Sequence, residues 1–325
     1  MKAAVYYENG GPEVLRYEDV PDPVCAPDGV VIDVEMVSLE GGDLLHRALS
    51  PLAQRPYIVG YQCAGSVREV GVNVRNRKVG DRVVALIPNG SHAERVAASA
   101  ATTWPLPPDG DIIALGCVPV AFGAAHEALF ELGELKAGQR VLVHAGAGGV
   151  GLAAIQLAKR AGAEVLTTAS SDAKLVMLRE FGATHTINYK ERELKDAVRD
   201  AIGPDGVDLV VDPVGGKVLA DSVDCIRYRG KIVNLGFAGR DLGGFNPVPL
   251  WYKNGSLIGL GLMASLQYEY ARIYAAIAQC IERVHRGELR VIVDKRFALR
   301  DAARAHAYVE QRSAFGRVVL LPHQA

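Results

Sequence analysis

Glycines at 146, 148 and 151 stand between an apolar run, Val141-Leu142-Val143, and a small-residue amphipathic run that stops at Gly162. A Gly-x-Gly-x-x-Gly loop with a strand before it and a helix after it presents free N–H groups to a pyrophosphate. Gly146 suits the tight turn, Gly148 the close approach of backbone to phosphate, and Gly151 the packing of helix on strand. Ala147, Gly149 and Val150 complete the loop. NAD-binding versions place Asp or Glu about 20 residues further on, for the ribose 2′-hydroxyl. Here the strand ends Thr167-Thr168-Ala169-Ser170-Ser171, with no acid at its tip. Ser170, Ser171 and Lys174 suit a 2′-phosphate instead, so the expected cofactor is NADP(H). Asp172 is the counter-signal, read as a helix N-cap. Three more loops follow strands: Asn188-Tyr189-Lys190, 212–216 and 235–239. Tyr189 is expected beside the adenosine, and Val214, Gly236 and Phe237 along the ribose and nicotinamide. Ordinary turns explain each of these loops as well when it is taken singly.

The elements that must carry these loops fit a chain of 325 residues, long enough for two domains and a sizeable core. Residues 1–7, 29–36, 62–70 and 81–87 are rich in Val and Ile and punctuated by Gly, Pro and Asn, as in a small barrel or sandwich. A short helix is expected near 42–48, and a helical connection over 112–132. After Lys136-Ala137-Gly138 strand and helix alternate, giving a doubly wound parallel sheet of about six strands whose last member is 256–262. The tail reads as a long helix 267–286, a strand 291–297, a helix 300–311 and a strand 317–321, packing back on the N-terminal part.

Composition limits the partners. With 36 basic and 37 acidic side chains, net charge −1, no electrostatic case exists for nucleic acid or an anionic membrane. No apolar run reaches ~18 residues, and no signal pattern opens the chain. The five cysteines are scattered, without Cys-x-x-Cys, so neither a disulfide framework nor a clustered zinc site is indicated. A cytoplasmic protein is expected.

The opening MKAAVYYENGGPEVLRYEDV, the run Val79-Gly80-Asp81-Arg82-Val83, the 145–151 loop, Ile187-Asn188-Tyr189, the 212–216 loop and the closing Phe297…Ala305-His306…Gly316-Arg317-Val318-Val319 carry a family resemblance. Over nearly its whole length the sequence resembles the quinone oxidoreductase (zeta-crystallin-like) branch of the medium-chain dehydrogenase/reductase superfamily. The resemblance implies an α/β fold. A Rossmann domain over 118–262 would accompany a GroES-like β-barrel catalytic domain built from 1–117 and 263–325, with the site in a cleft. It also implies homodimers joined through the last Rossmann strand.

A catalytic zinc in this superfamily needs a cysteine in the 41–43 region and a His-Glu pair after Gly60. This chain has Gly41-Gly42-Asp43 and Gly60-Tyr61-Gln62, and lacks the four-cysteine lobe of structural zinc. Without thiolate or imidazole at those positions a zinc has nothing to hold it, so no metal is expected. Carbonyl reduction then loses its Lewis acid, whereas quinones and conjugated enones delocalise the arriving charge themselves. Tyr61 is expected to donate to the substrate oxygen with Gln62 beside it, or else to fill the vacated metal pocket. Glu40 falls where the branch carries Asn, to contact the nicotinamide ribose or shape the pocket. Asp43 reads as a cap, His46 as a surface or packing residue, and Arg317 as a phosphate contact or a surface salt bridge. Ala124 replaces a Thr that would bond the nicotinamide amide. Trp251, Tyr252, Leu262 and Met263 would line a planar apolar pocket. The leading function is an NADPH-dependent quinone reductase. An enone or acryloyl double-bond reductase and a non-catalytic NADPH-binding protein are the alternatives.

Overall fold

The computed structural model describes residues 1–241 and 243–324. The chain gathers into two compact units, one of residues 1–120 with the segment from Tyr270 onward, the other Ala121–Glu269.

The second unit holds six parallel strands in the order His185–Asn188, Glu164–Ala169, Arg140–Val143, Val207–Asp212, Ile226–Asn234, Ser256–Gly259. Strands buried on both faces must be apolar throughout, and Val141, Leu142, Val143, Val210 and Val211 are fully buried. Helices Gly149–Arg160, Asp172–Glu180, Leu194–Ile202 and Gly216–Cys225 make the crossovers. The first strand therefore lies at the centre and the winding reverses between Arg140–Val143 and Val207–Asp212. The carboxyl ends at such a reversal are where open α/β sheets take ligands.

Among the departures from the sequence reading, two follow the last strand of this sheet. The edge strand stops at Gly259 rather than 262, because Gly261 caps a new helix, Leu262–Tyr268. The expected helix 267–286 is two helices, since Glu269 takes non-helical φ −133° and ψ 39° before Tyr270–His285 begins.

In the first unit the strand Gly29–Ser38 is the axis. Gln62–Val70 and Arg95–Ser99 pair along it antiparallel, and register shifts at Val31/Ile32 and Val34/Met36 bend it. The closing strand Arg317–Leu321 returns to the same axis, setting Val319 opposite Ser38. This return brings Arg317 to the start of the helix Gly41–Leu49, which begins three residues after Ser38. Trp104, 1% exposed, stacks on Tyr274 with ring centroids 5.0 Å apart and donates from Nε1 to the Tyr274 carbonyl at 3.0 Å. That pairing fixes the C-terminal segment to the sheet.

Candidate active site

In the second unit, the loop after Arg140–Val143 is shaped by missing side chains. A Cβ on Gly151 would lie 2.4 Å from the Ala145 carbonyl oxygen and 2.7 Å from Gly146 Cα, so the helix reaches the strand end only with glycine there. A Cβ on Gly146 would lie 2.1 Å from Thr167 Oγ1. Gly146 is thus required by space, whereas the left-handed turn residue is Ala145, at φ 50°. Gly148, the N-cap residue, would bring a Cβ near nothing but the Ala145 oxygen at 3.3 Å. Its face is open, which leaves the helix N-terminus free for an anion.

The other expected cofactor residues gather at the same carboxyl edge. Ser170 and Ser171 follow the strand Glu164–Ala169, and Ser171 rather than Asp172 is the N-cap of the next helix. Asp172 is that helix's first residue, and its carboxylate accepts from Asn188 Nδ2 at 3.1 Å. Lys174 lies half-buried in the same first turn. Tyr189 is 44% exposed, and its N–H donates to the Ala169 carbonyl at 3.3 Å, which sets it beside the serines. Val214 and the segment Gly236–Phe237 are tied together. Ala238 N donates to the Pro213 carbonyl, Gly239 N to the Val214 carbonyl, and the Phe237 ring lies over Gly215, whose φ is 72°. The buried Asp212 carboxylate holds this pair of loops, accepting from Val214 N at 2.8 Å, Gly215 N at 3.1 Å and Asn234 Nδ2 at 3.0 Å. These open glycines, loop ends and hydroxyls suit a dinucleotide with a 2′-phosphate.

In the first unit Glu40, Gln62 and Tyr61 surround the start of the helix Gly41–Leu49. Glu40 is 4% exposed and pairs with the buried Arg317 guanidinium. Arg317 also donates to Ser38 Oγ at 2.6 Å and the Leu39 carbonyl at 2.7 Å. Arg317 is therefore neither a phosphate contact nor part of a surface salt bridge. It is the internal partner of Glu40. Burial pushes the Glu40 carboxyl up, and the arginine pulls it back. Gln62 spends both ends of its amide inside the fold: Nε2 donates to the Gly116 carbonyl at 2.7 Å, and Oε1 accepts from Val120 N at 2.6 Å.

Tyr61 is the partly exposed member. Its ring lies against Gly42, where a Cβ would come within 2.6 Å, and its hydroxyl sits 3.4 Å from the Gly42 carbonyl. Burial raises the phenol's pKa, so it stays protonated and can donate. Gly60 fixes the approach to Tyr61. It adopts φ 117°, and a Cβ there would meet Ser91 Oγ at 1.9 Å and His92 Nδ1 at 2.3 Å. His46 is held between Tyr6 and Tyr57 hydroxyls at 2.9 and 3.1 Å, a packing role. Among the described residues no group of three or more His, Cys, Asp or Glu side chains is placed to hold a metal ion.

Asp43 is fully buried. Its Oδ2 accepts from Glu40 N at 2.8 Å, while Oδ1 has no hydrogen-bond partner. Burial, then the neighbouring Glu40, push its carboxyl well above the usual range, so the folded state keeps the proton that the unfolded chain releases. Stability from this residue is thus fully present below the unfolded value near ~3.9 and is lost as pH rises from there through the raised folded value. Asp43→Asn, which mimics the neutral acid, is expected to be more stable than wild type at pH 7. The gap should close as pH falls towards ~4, in denaturant unfolding at a series of pH values. A gap independent of pH would contradict the protonated Asp43.

Sequence reasoning missed the Arg317–Glu40 pair, the left-handed Ala145 and the holding role of Asp212. The first joins residues 277 positions apart, so no local signal marks it. The last has a signal: an acid that ends an otherwise apolar buried strand.

Residues 26–108 match the model of the alcohol dehydrogenase GroES-like domain, and residues 149–279 that of the zinc-binding dehydrogenases. The chain is 32% identical to a 2-haloacrylate reductase of Burkholderia sp over 99% of both chains. It is 32% identical to a quinone oxidoreductase of Pseudomonas aeruginosa, covering 96% of this chain and 97% of that protein. The crystal structure of Escherichia coli quinone oxidoreductase complexed with NADPH superposes with a TM-score of 0.93 at 28% identity, over 99% of this chain and 100% of that one. With both family domains, full-length relatives at this identity and no thiolate or imidazole at the zinc positions, the chain belongs to the zinc-free quinone oxidoreductase branch of the medium-chain dehydrogenase/reductase superfamily.

Proposed function

We propose that this protein is an NADPH-dependent, zinc-independent oxidoreductase that reduces quinones. The observation that carries the reading is the open Gly148 face at the end of a switch-point strand, in a chain that superposes end to end on an NADPH-bound quinone oxidoreductase. A bound NADPH would supply hydride to the electrophilic carbon of the substrate. The loop 146–151, with Gly146, Ala147, Gly148, Gly149, Val150 and Gly151, binds the pyrophosphate through backbone N–H groups. Ser170, Ser171 and Lys174 bind the 2′-phosphate, Tyr189 flanks the adenosine, and Val214, Gly236 and Phe237 bound the ribose and nicotinamide. The protonated Tyr61 phenol donates to the substrate oxygen on which charge develops. Glu40 and Gln62, committed to Arg317 and to the backbone, set the position of Tyr61's neighbourhood rather than touch the substrate.

A conjugated double bond is the second acceptor class, favoured by the 32% identity to a 2-haloacrylate reductase. A panel of NADPH and NADH against a para-quinone and 2-chloroacrylate separates the readings. Quinone turnover with NADPH preferred by about ten-fold or more is the expected result. Preference for NADH would contradict the role given to Lys174, and turnover of 2-chloroacrylate alone would move the assignment to double-bond reduction.

We further propose that the protein works in the cytoplasm as a homodimer. Free thiols at Cys25, Cys63, Cys117, Cys225 and Cys280 suit a reducing compartment. Among the described residues the edge strand Ser256–Gly259 has an unpaired side, with Leu257 38%, Trp251 70% and Tyr252 85% exposed nearby, a surface suited to a second copy.

A further inference from the structure

Behind the phosphate loop a chain of polar groups runs through the interior of the second unit. Ser222 Oγ–H donates to the Val218 carbonyl at 2.6 Å, within the helix Gly216–Cys225, so its oxygen has only lone pairs for His144 Nε2 at 2.8 Å. His144 Nε2 must therefore carry the proton, which leaves Nδ1 as an acceptor. Thr168 Oγ1 lies 3.2 Å from Nδ1 and donates to it, while accepting from Ala145 N at 3.3 Å. Every bond points one way, from Ala145 N–H through Thr168 and His144 to Ser222 and the helix. His144 is 2% exposed, and burial pushes its imidazole down to about 4 against the pull of Asp212 and Asp221, so the ring is neutral at pH 7.

The chain ends on a conformation that needs holding. Ala145 sits at φ 50°, where a residue with a Cβ is strained, and its carbonyl accepts from Gly148 N at 2.9 Å and lies against Gly151. The Thr168 carbonyl also takes Gly146 N at 2.9 Å. One threonine thus grips the loop by its hydroxyl and its carbonyl, and the histidine orients the hydroxyl.

We infer that His144 is a positioning residue for the phosphate loop, acting through the Thr168 hydroxyl to hold Ala145 in the left-handed turn that opens Gly148 to the pyrophosphate. This rests on the NADPH reading given above. The test is fluorescence titration with NADPH of the wild type, Thr168→Val, His144→Gln and His144→Asn, with adenosine 2′-monophosphate as a competitor that lacks the pyrophosphate. Thr168→Val is close to isosteric, and carries the test if the His144 variants do not fold. Asn places an amide oxygen at the Nδ1 position and can still accept from Thr168, whereas Gln places its amide at the Nε2 position and cannot. NADPH is expected to bind about ten-fold more weakly to Thr168→Val and His144→Gln, and within about two-fold of wild type to His144→Asn. Affinity for adenosine 2′-monophosphate should not change. NADPH affinity unchanged in Thr168→Val, or lost equally in the Asn and Gln variants, or lost in parallel for both ligands, would overturn the inference. Failure of the wild type itself to bind NADPH would instead refute the cofactor reading.

Discussion

Gly148→Ala should fold like the wild type and bind NADPH about 100-fold more weakly, whereas Gly151→Ala should lose stability as well as binding. Gly148 has φ −83° and ψ 171°, extended backbone that alanine adopts freely, and its Cβ would make one contact, at 3.3 Å. The methyl would instead occupy the space a pyrophosphate needs, and forfeiting two hydrogen bonds to charged oxygens costs about 3 kcal/mol or more. At Gly151 the methyl would meet backbone at 2.4, 2.7 and 2.9 Å. Backbone cannot swing aside as a side chain does, so the helix must withdraw from the strand end, at about 1–3 kcal/mol. Thermal unfolding paired with NADPH titration separates the two effects. A Gly148→Ala protein that binds NADPH normally would show that the phosphates lie elsewhere.

Removing Arg317 should strongly destabilise the first unit. Arg317→Met leaves the buried Glu40 carboxylate without its counter-charge, a loss of about 3–5 kcal/mol at pH 7 in denaturant unfolding. With the arginine gone Glu40 must keep its proton in the folded state, while the unfolded chain releases it above ~4.3. Folding then takes up a proton at neutral pH, so the deficit should shrink as pH falls towards ~4. The double variant Glu40→Gln/Arg317→Met, which removes both charges, should regain much of the loss. Additive losses in the double variant would mean that the two side chains do not act as a pair.

These two sites also mark what the sequence could reveal. The glycine loop was legible because its requirements are local: a strand, three glycines at fixed spacing and a helix lie within 141–162, and the parallel sheet follows from the alternation after residue 138. Ser170, Ser171 and Lys174, proposed to hold a 2′-phosphate, were local in the same way, lying on one strand tip and in the next helical turn. Glu40 was marked, but not what it does, since its partner arrives on the closing strand paired to Ser38 and Val37. Gln62 was placed beside Tyr61 correctly by adjacency, yet alternation along a strand sends neighbours to opposite faces, so Gln62 turns inward to Gly116 and Val120. The single helix expected over 267–286 failed because helical periodicity continues through Glu269 while the backbone does not. Ala145 was unexpected because local pattern assigns a left-handed turn to glycine, whereas here the surrounding hydrogen bonds impose it.

The most direct measurement is NADPH oxidation by the chelator-treated protein with a small para-quinone as acceptor. The ligand positions hold Gly41-Gly42-Asp43 and Gly60-Tyr61-Gln62, so turnover should be the same before and after exhaustive EDTA treatment, and added zinc should not raise it. Quinone turnover that vanishes with chelation and returns with zinc would contradict the zinc-independent mechanism. Clear NADPH binding without any quinone turnover would contradict the quinone reductase assignment itself.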